Sequence, residues 1–130
     1  MNLLLDTHVW LWSLLAPNRI HDNTLALLAS EDSILHLSSI SCWETLLLAE
    51  KGRIGLATNA ESWLAEALRN SPIVEVPISM EIAMSSRSIS VANQDPADRF
   101  IAASAKVLGL TLVTSDKKLL KCPEIEVLSA

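Results

Sequence analysis

Cysteine, glycine and proline are all scarce in this chain, and each shortage excludes something. The two cysteines, Cys42 and Cys122, make neither a disulfide framework nor a zinc-binding spacing. They fit a reducing cytosol as buried or idle thiols. With three glycines and five prolines, the chain has no low-complexity segment, no internal repeat and no visible boundary of a second domain. Long apolar runs are missing too: no window reaches the ~18 uninterrupted apolar residues of a transmembrane helix. The first residues, MNLLLDTHVWLWSLLAP, lack the basic stretch that opens a signal peptide, and Asp6 and His8 interrupt their apolar run. The expectation is a cytoplasmic protein with one domain over residues 1–130, large enough to bury a real core.

Apolar residues are plentiful. They make up half of the chain, and the mean hydropathy is +0.34, which points to an oligomer or an obligate partner. The net charge is −5. An acidic balance argues against nucleic acid, because phosphate binding usually leaves a basic footprint. That argument weakens if several acids are metal ligands. With Asp6, Glu44, Asp98 and Asp116 set aside the net charge is −1, and a bound divalent ion reverses the local sign.

Strands and helices alternate. Asn2–Leu5 is a short apolar strand ending at Asp6, and Thr7–Ala16 a helix stopped by Pro17 and Asn18. Asp22 or Asn23 caps a second helix, and Ser33–Leu37 is a second strand. Ser41 opens a third helix as Ser-Cys-Trp-Glu, a capping-box spacing with Glu44, ending near Gly52. Thr58 or Asn59 caps a fourth helix, Ile73–Val76 is a third strand and Met80–Ser86 a short helix. The densest stretch is DPADRFIAASAKVLGLTLVTSD, from Asp95 to Asp116. Asp95 suits an N-cap, Pro96 the first helical position and Gly109 the stop. Small residues at 102–105 let this helix lie close against a sheet. Leu110–Thr114 reads as a buried parallel strand. A turn of helix at Lys117–Leu120 and a strand at Ile125–Leu128 complete the pattern. The expected fold is α/β, a doubly wound, mainly parallel sheet of about five strands flanked by helices.

Each acid alone has a structural explanation as a helix cap or a first-turn charge on the favourable end of a helix dipole. Together they say more. Asp6 and Asp116 follow buried strands, Glu44 sits early in the helix after the second strand, and Asp98 sits early in the helix before the strand leading to Asp116. All four belong near one carboxyl edge of the sheet, where open α/β folds bind ligands. Converging carboxylates repel one another, and a hard divalent cation removes that cost. Oxygen donors without His or Cys point to Mg²⁺ or Mn²⁺, which activates water for in-line attack on a phosphodiester. Thr114 or Ser115 can hydrogen-bond a carboxylate there, and Asp95 keeps its N-cap role. Arg99, Lys117 and Lys118, with Lys51 and Arg53 further off, are surface charges that can contact phosphate. His8, His21 and His36 form no soft-metal pattern. Trp10, Trp12, Trp43 and Trp63 read as core or interface.

The segments LLLDTHVWLW, SSISCWETLLL with the following KGRI, and DPADRFIAASAKVLGLTLVTSD resemble the PIN-domain ribonucleases, specifically the VapC-type toxins of type II toxin–antitoxin pairs. The resemblance runs from about the first strand to the last. It implies a Mg²⁺- or Mn²⁺-dependent endoribonuclease, commonly a homodimer, neutralised by a cognate VapB-like antitoxin. Asp6, Glu44, Asp98 and Asp116 fall on the family's first to fourth catalytic, metal-binding acids, and Asp95 on an acid outside that quartet. Two positions depart from the pattern, Leu48 where relatives often carry a basic residue and Asn93 where they often carry His. Both bear on RNA contacts more than on the metal site. A structured RNA such as a tRNA or rRNA loop is the expected substrate, because an acidic chain grips arbitrary RNA poorly.

Two other readings compete. A phosphoryl-transfer α/β enzyme also uses an Asp after the first strand. However, a dehalogenase-like phosphatase needs a second Asp where His8 stands, and a receiver needs one after the third strand, where Pro77 stands. A PIN-fold binding module without activity would tolerate loss of an acid, and here the set is intact.

Overall fold

In the computed structural model, which describes residues 1–92 and 94–130, the apolar run Asn2–Leu5 forms strand β1 at the centre of a five-stranded sheet. On one side lie β2 (Ile34–Ser38) and then β3 (Ile73–Val76); on the other lie β4 (Thr111–Thr114) and then β5 (Val127–Ser129). Every pairing is parallel. The chain goes from β1 outward to β2 and later returns to the opposite side of β1 as β4. The carboxyl ends of β1 and β4 therefore flank the topological switch point, where this kind of sheet leaves a crevice.

The helices are α1 (Thr7–Leu15), α2 (Asp22–Ala29), α3 (Ser39–Glu50), α4 (Ala60–Asn70), α5 (Met80–Ser88), α6 (Pro96–Leu108) and α7 (Lys117–Leu120), with a 3₁₀ turn at Pro17–Arg19. Strand side chains alternate between faces, so β1 feeds two cores. Leu4 joins Leu112, Ile82 of α5 and Ile101 of α6 on one face. Leu3 and Leu5 join Val113, Val9 and Trp10 of α1 and Leu64 of α4 on the other. A parallel sheet covered on both faces needs such near-continuous apolar strands. Three tryptophans serve packing, Trp10 and Trp63 meeting edge-on with centroids 6.3 Å apart and Trp12 lying 4.6 Å under Arg19, while Trp43 is half-exposed.

Helix α6 follows its sequence signals. Asp95 Oδ1 accepts from the Ala97 amide at 2.9 Å, and Pro96 opens the helix. Gly109 ends it at φ 66°, a left-handed conformation that favours glycine. Ala102, Ala103, Ser104 and Ala105 are all buried, so the helix backbone approaches the core closely.

The start of α3 differs from expectation. Strand β2 ends one residue later than its sequence suggests and passes into α3 without a loop. Ser38 is the cap, its Oγ accepting from the Ile40 amide at 3.2 Å. Ser41 lies inside the first turn, buried, so it forms no capping box with Glu44. The last strand also lies later than expected, at Val127–Ser129 rather than Ile125–Leu128. Among the described residues no helix is long and apolar enough to cross a membrane.

Candidate metal centre

Asp6 is the residue at which β1 becomes α1. Its Oδ1 accepts from the Thr7 amide at 2.8 Å and its Oδ2 from the Thr114 hydroxyl at 2.7 Å, and it is 5 % exposed. The same Thr114 oxygen accepts from the Asp116 amide at 3.0 Å, so one hydroxyl at the end of β4 ties the two strand ends together. Asp116 caps α7, its Oδ1 accepting from the Lys118 and Leu119 amides at 2.8 and 3.2 Å. Ser115 between them is exposed. Asp95 and Asp98 come from the start of α6, and Glu44 from the early turns of α3. A buried hydroxyl pair, Thr7 donating to Ser41 at 2.8 Å, locks α1 against α3.

Carboxylate oxygens of Glu44, Asp95 and Asp98 all lie within 4.8 Å of one another. This trio differs from the expected arrangement, in which Asp6, Asp98 and Asp116 come together with Glu44 close by. Asp95 both caps α6 and joins the acids. Asp6 and Asp116 are not part of this trio and are held by the Thr7, Thr114 and α7 donors. They remain near enough to act on Asp98, whose carboxyl is pushed up to about 8, first by burial and then by Asp6, Asp95, Glu44 and Asp116. Burial also raises Glu44, with the Thr7 hydroxyl opposing and the Asp6 charge adding. Asp6 is raised as well, because burial outweighs the Thr114 hydrogen bond.

These features fit a divalent cation. Glu44 Oε1 is buried and, among the described residues, has no hydrogen-bond partner. Leaving such an acceptor unsatisfied costs about 1–3 kcal/mol. An all-oxygen donor set matches Mg²⁺ or Mn²⁺ rather than zinc.

One consequence concerns stability without metal. A carboxyl whose pKa is raised on folding binds more protons folded than unfolded, so stability falls as pH rises from about 4 to about 8. If roughly a quarter of the elevation at Asp98 survives relaxation of the crevice, ionising it costs about 1.4 kcal/mol, or about 6 °C in a chain this size. The lost first-turn charge offsets roughly 0.3–1 kcal/mol of this. Asp98→Asn is therefore expected to raise the metal-free melting temperature by a few degrees at pH 8 and hardly at pH 3.5, below the unfolded value of 3.8, where the carboxyl is protonated in both states. A clear drop at pH 8, read by circular dichroism, would make Asp98 a structural helix acid.

Arg99 requires a correction. Instead of facing phosphate it is 6 % exposed and points inward. Its Nε donates to Ser86 O at 2.8 Å, Nη1 to Val91 O at 3.0 Å, and Nη2 to Ile89 O at 3.0 Å and Arg87 O at 3.3 Å. The guanidinium thus satisfies carbonyls at the end of α5 and in the following turn, which no helix partner reaches. Leu48 is half-buried and packs on the Trp10 core. Asn93 lies outside the described residues. Sequence reasoning missed Thr7 as the link between α1 and α3, and the only sign of it was its place in the Asp-Thr-His run. His8 is exposed and near enough to favour the charged forms of Asp6 and Glu44.

The family model for the PIN domain matches residues 3–125. Ribonuclease VapC22 of Mycobacterium tuberculosis (strain ATCC 25618 / H37Rv) is 36% identical over 120 residues, covering 90% of this chain and 88% of that protein. The solved VapBC2 complex of Rickettsia felis, bound to a promoter DNA fragment, is similar at a TM-score of 0.73 and 20% identity, covering 99% of this chain and 98% of the other. FitAcB from Neisseria gonorrhoeae gives a TM-score of 0.66 at 27% identity, covering 97% and 96%.

Proposed function

The chain belongs to the PIN-domain family, in the branch of the VapC ribonucleases, and on that premise we propose that it is a Mg²⁺- or Mn²⁺-dependent endoribonuclease, the toxin of a toxin–antitoxin pair. The observation that carries this reading is the convergence of acids at the switch point, with a buried Glu44 oxygen that lacks a partner. Glu44, Asp98, Asp6 and Asp116 would hold the ion, with Asp95 beside them. Bound there, a divalent ion would neutralise the acids and polarise water for attack on a phosphodiester.

The chain's own residues do the rest. Thr114 holds Asp6 and the backbone of Asp116 in a common register, and the Thr7–Ser41 pair keeps Glu44 of α3 close to them. The N-termini of α1 and α6 meet the carboxylates with the positive ends of their dipoles. This tempers repulsion but does not remove it, since Asp98 stays raised. With a net charge of −5, long-range attraction to RNA is weak. A structured RNA whose loop presents one phosphodiester by shape is the favoured substrate.

The test is to incubate the purified chain with Mn²⁺ and total RNA and map the new 5′ ends. One or a few sites are expected, none of them in EDTA. Uniform degradation would contradict selective cutting.

The solved VapBC complexes that share this fold support a VapB-like antitoxin as partner, and a cytoplasmic setting follows from that role. Met80 and Met84, 88% and 75% exposed on one side of α5, and half-exposed Trp43 on α3 supply apolar surface for association. Light scattering of the chain alone is expected to give a dimer. A monodisperse monomer at micromolar concentration would rule that out.

A further inference from the structure

A basic cleft is built on α7, the helix that Asp116 caps. Ser90 and Ala92 form one wall, Lys117, Lys118 and Lys121 the other, and the volume between them is about 280 Å³. The first wall is held from two directions. Arg99 binds the carbonyls of Ile89 and Val91 from beneath, and Glu124 accepts from the Ser90 amide at 2.5 Å while also pairing with Lys106. The second wall is α7 and the residue after it. Each wall leads to an acid. The chain runs from the first wall into Asp95 and α6, and α7 is capped by Asp116. The second wall thus begins at Asp116, directly before Lys117.

The cleft's charge is opposite to that of the crevice. Among the described residues no acid lines it, Glu124 standing behind the first wall and paired with Lys106; all three lysines are exposed, and none forms a salt bridge. Four other cations sit less well for a strand passing the acids. Arg99 is buried, and Lys106 is paired. Lys51 and Arg53 follow the far end of α3, which at ~1.5 Å per residue lies about 18 Å from the carboxyl edge where that helix begins. Lysine ammonium groups on flexible stems hold phosphates as point charges and read no sequence.

We propose that this cleft grips the phosphate backbone of a single RNA strand on the Asp116 side of the cutting site, an assignment that rests on the nuclease reading of the acids. The strand is held on one side of the crevice by α7 and guided by the rigid turn that Arg99 and Glu124 hold.

The test uses a fluorescent single-stranded RNA oligonucleotide with Ca²⁺ replacing Mg²⁺, its intactness checked on a gel, and anisotropy titrations over a range of KCl. In the triple variant Lys117→Gln, Lys118→Gln, Lys121→Gln, the log–log salt slope is expected to fall by about 2, at roughly 0.7 per single-strand phosphate contact. Arginine at the same three positions should keep the slope, and Lys51→Gln with Arg53→Gln should leave it unchanged. The proposal is overturned if the triple glutamine variant keeps the wild-type slope, or if the Lys51 and Arg53 pair accounts for the loss. It is also overturned if the triple variant keeps the RNA slope but loses affinity for a poly-glutamate peptide, which would assign the cleft to an acidic protein segment. The two readings fail separately. RNA binding through the cleft without cleavage in Mn²⁺ would remove the nuclease reading alone, and cleavage with an unchanged slope would remove the cleft alone.

Discussion

Asp6→Asn is expected to lower the rate of RNA cleavage by a factor on the order of 10³ while leaving the protein folded. The carboxylate sits where β1 ends, within electrostatic reach of Asp98, and a cation-holding group at this position contributes several kcal/mol to the reaction. A loss of about 4 kcal/mol corresponds to that factor. Stability should change little. Asparagine keeps the shape and gives up about 1 kcal/mol in the hydrogen bonds from Thr7 and Thr114. Removing a buried charge that the fold already disfavours works in the opposite direction. Asp116→Asn should act likewise, and EDTA should silence the wild type. Initial rates at one mapped site, with melting curves beside them, make the check. Wild-type rates in EDTA would end the metal mechanism.

The second large effect is structural. Arg99→Met is expected to cost roughly 3–5 kcal/mol, because it removes several hydrogen bonds from a charged donor, worth roughly 1.5–3 kcal/mol each before water replaces some of them, or roughly 12–20 °C in melting temperature. Methionine can follow the stem of the arginine but offers no donor to the carbonyls of Ser86, Arg87, Ile89 and Val91. Arg99→Lys should recover only part of this, since an ammonium cannot reproduce the fork that spans both sides of the turn. Hydrogen exchange at Ile89 and Val91, whose amides bond Ser85 O and Ile89 O, should quicken in both variants. A loss below about 1 kcal/mol would mean that water replaces the guanidinium at these carbonyls.

The contrast between these two residues marks how far the sequence alone could be followed. Asp6, Asp95 and Asp116 were legible because their geometry is local. An acid directly before a helix caps that helix, and all three do so here, Asp6 and Asp116 at the ends of strands and Asp95 after a turn. The parallel sheet was legible from the alternation of apolar strands and helices. Ser41 misled because the capping-box spacing assumes a loop before the helix. Here β2 continues straight into α3, and Ser38 caps it. Arg99 misled because it adjoins an exposed-looking acid in the sequence, and its destination depends on the tertiary docking of α5 beside α6. The inclusion of Asp95 with Glu44 and Asp98 was equally hidden, since a cap residue's second role depends on what another helix brings alongside it. These are long-range placements, and no local pattern encodes them.

The central claim is that the acids at the carboxyl edge hold a divalent cation for RNA cleavage. Anomalous diffraction from crystals soaked in Mn²⁺ tests it most directly. The account predicts a peak bounded by Glu44, Asp98 and at least one of Asp6 and Asp116, with metal–oxygen distances of about 2.1 Å and Glu44 Oε1 satisfied at last. An empty crevice at millimolar Mn²⁺, with the acids paired to lysines instead, would contradict it.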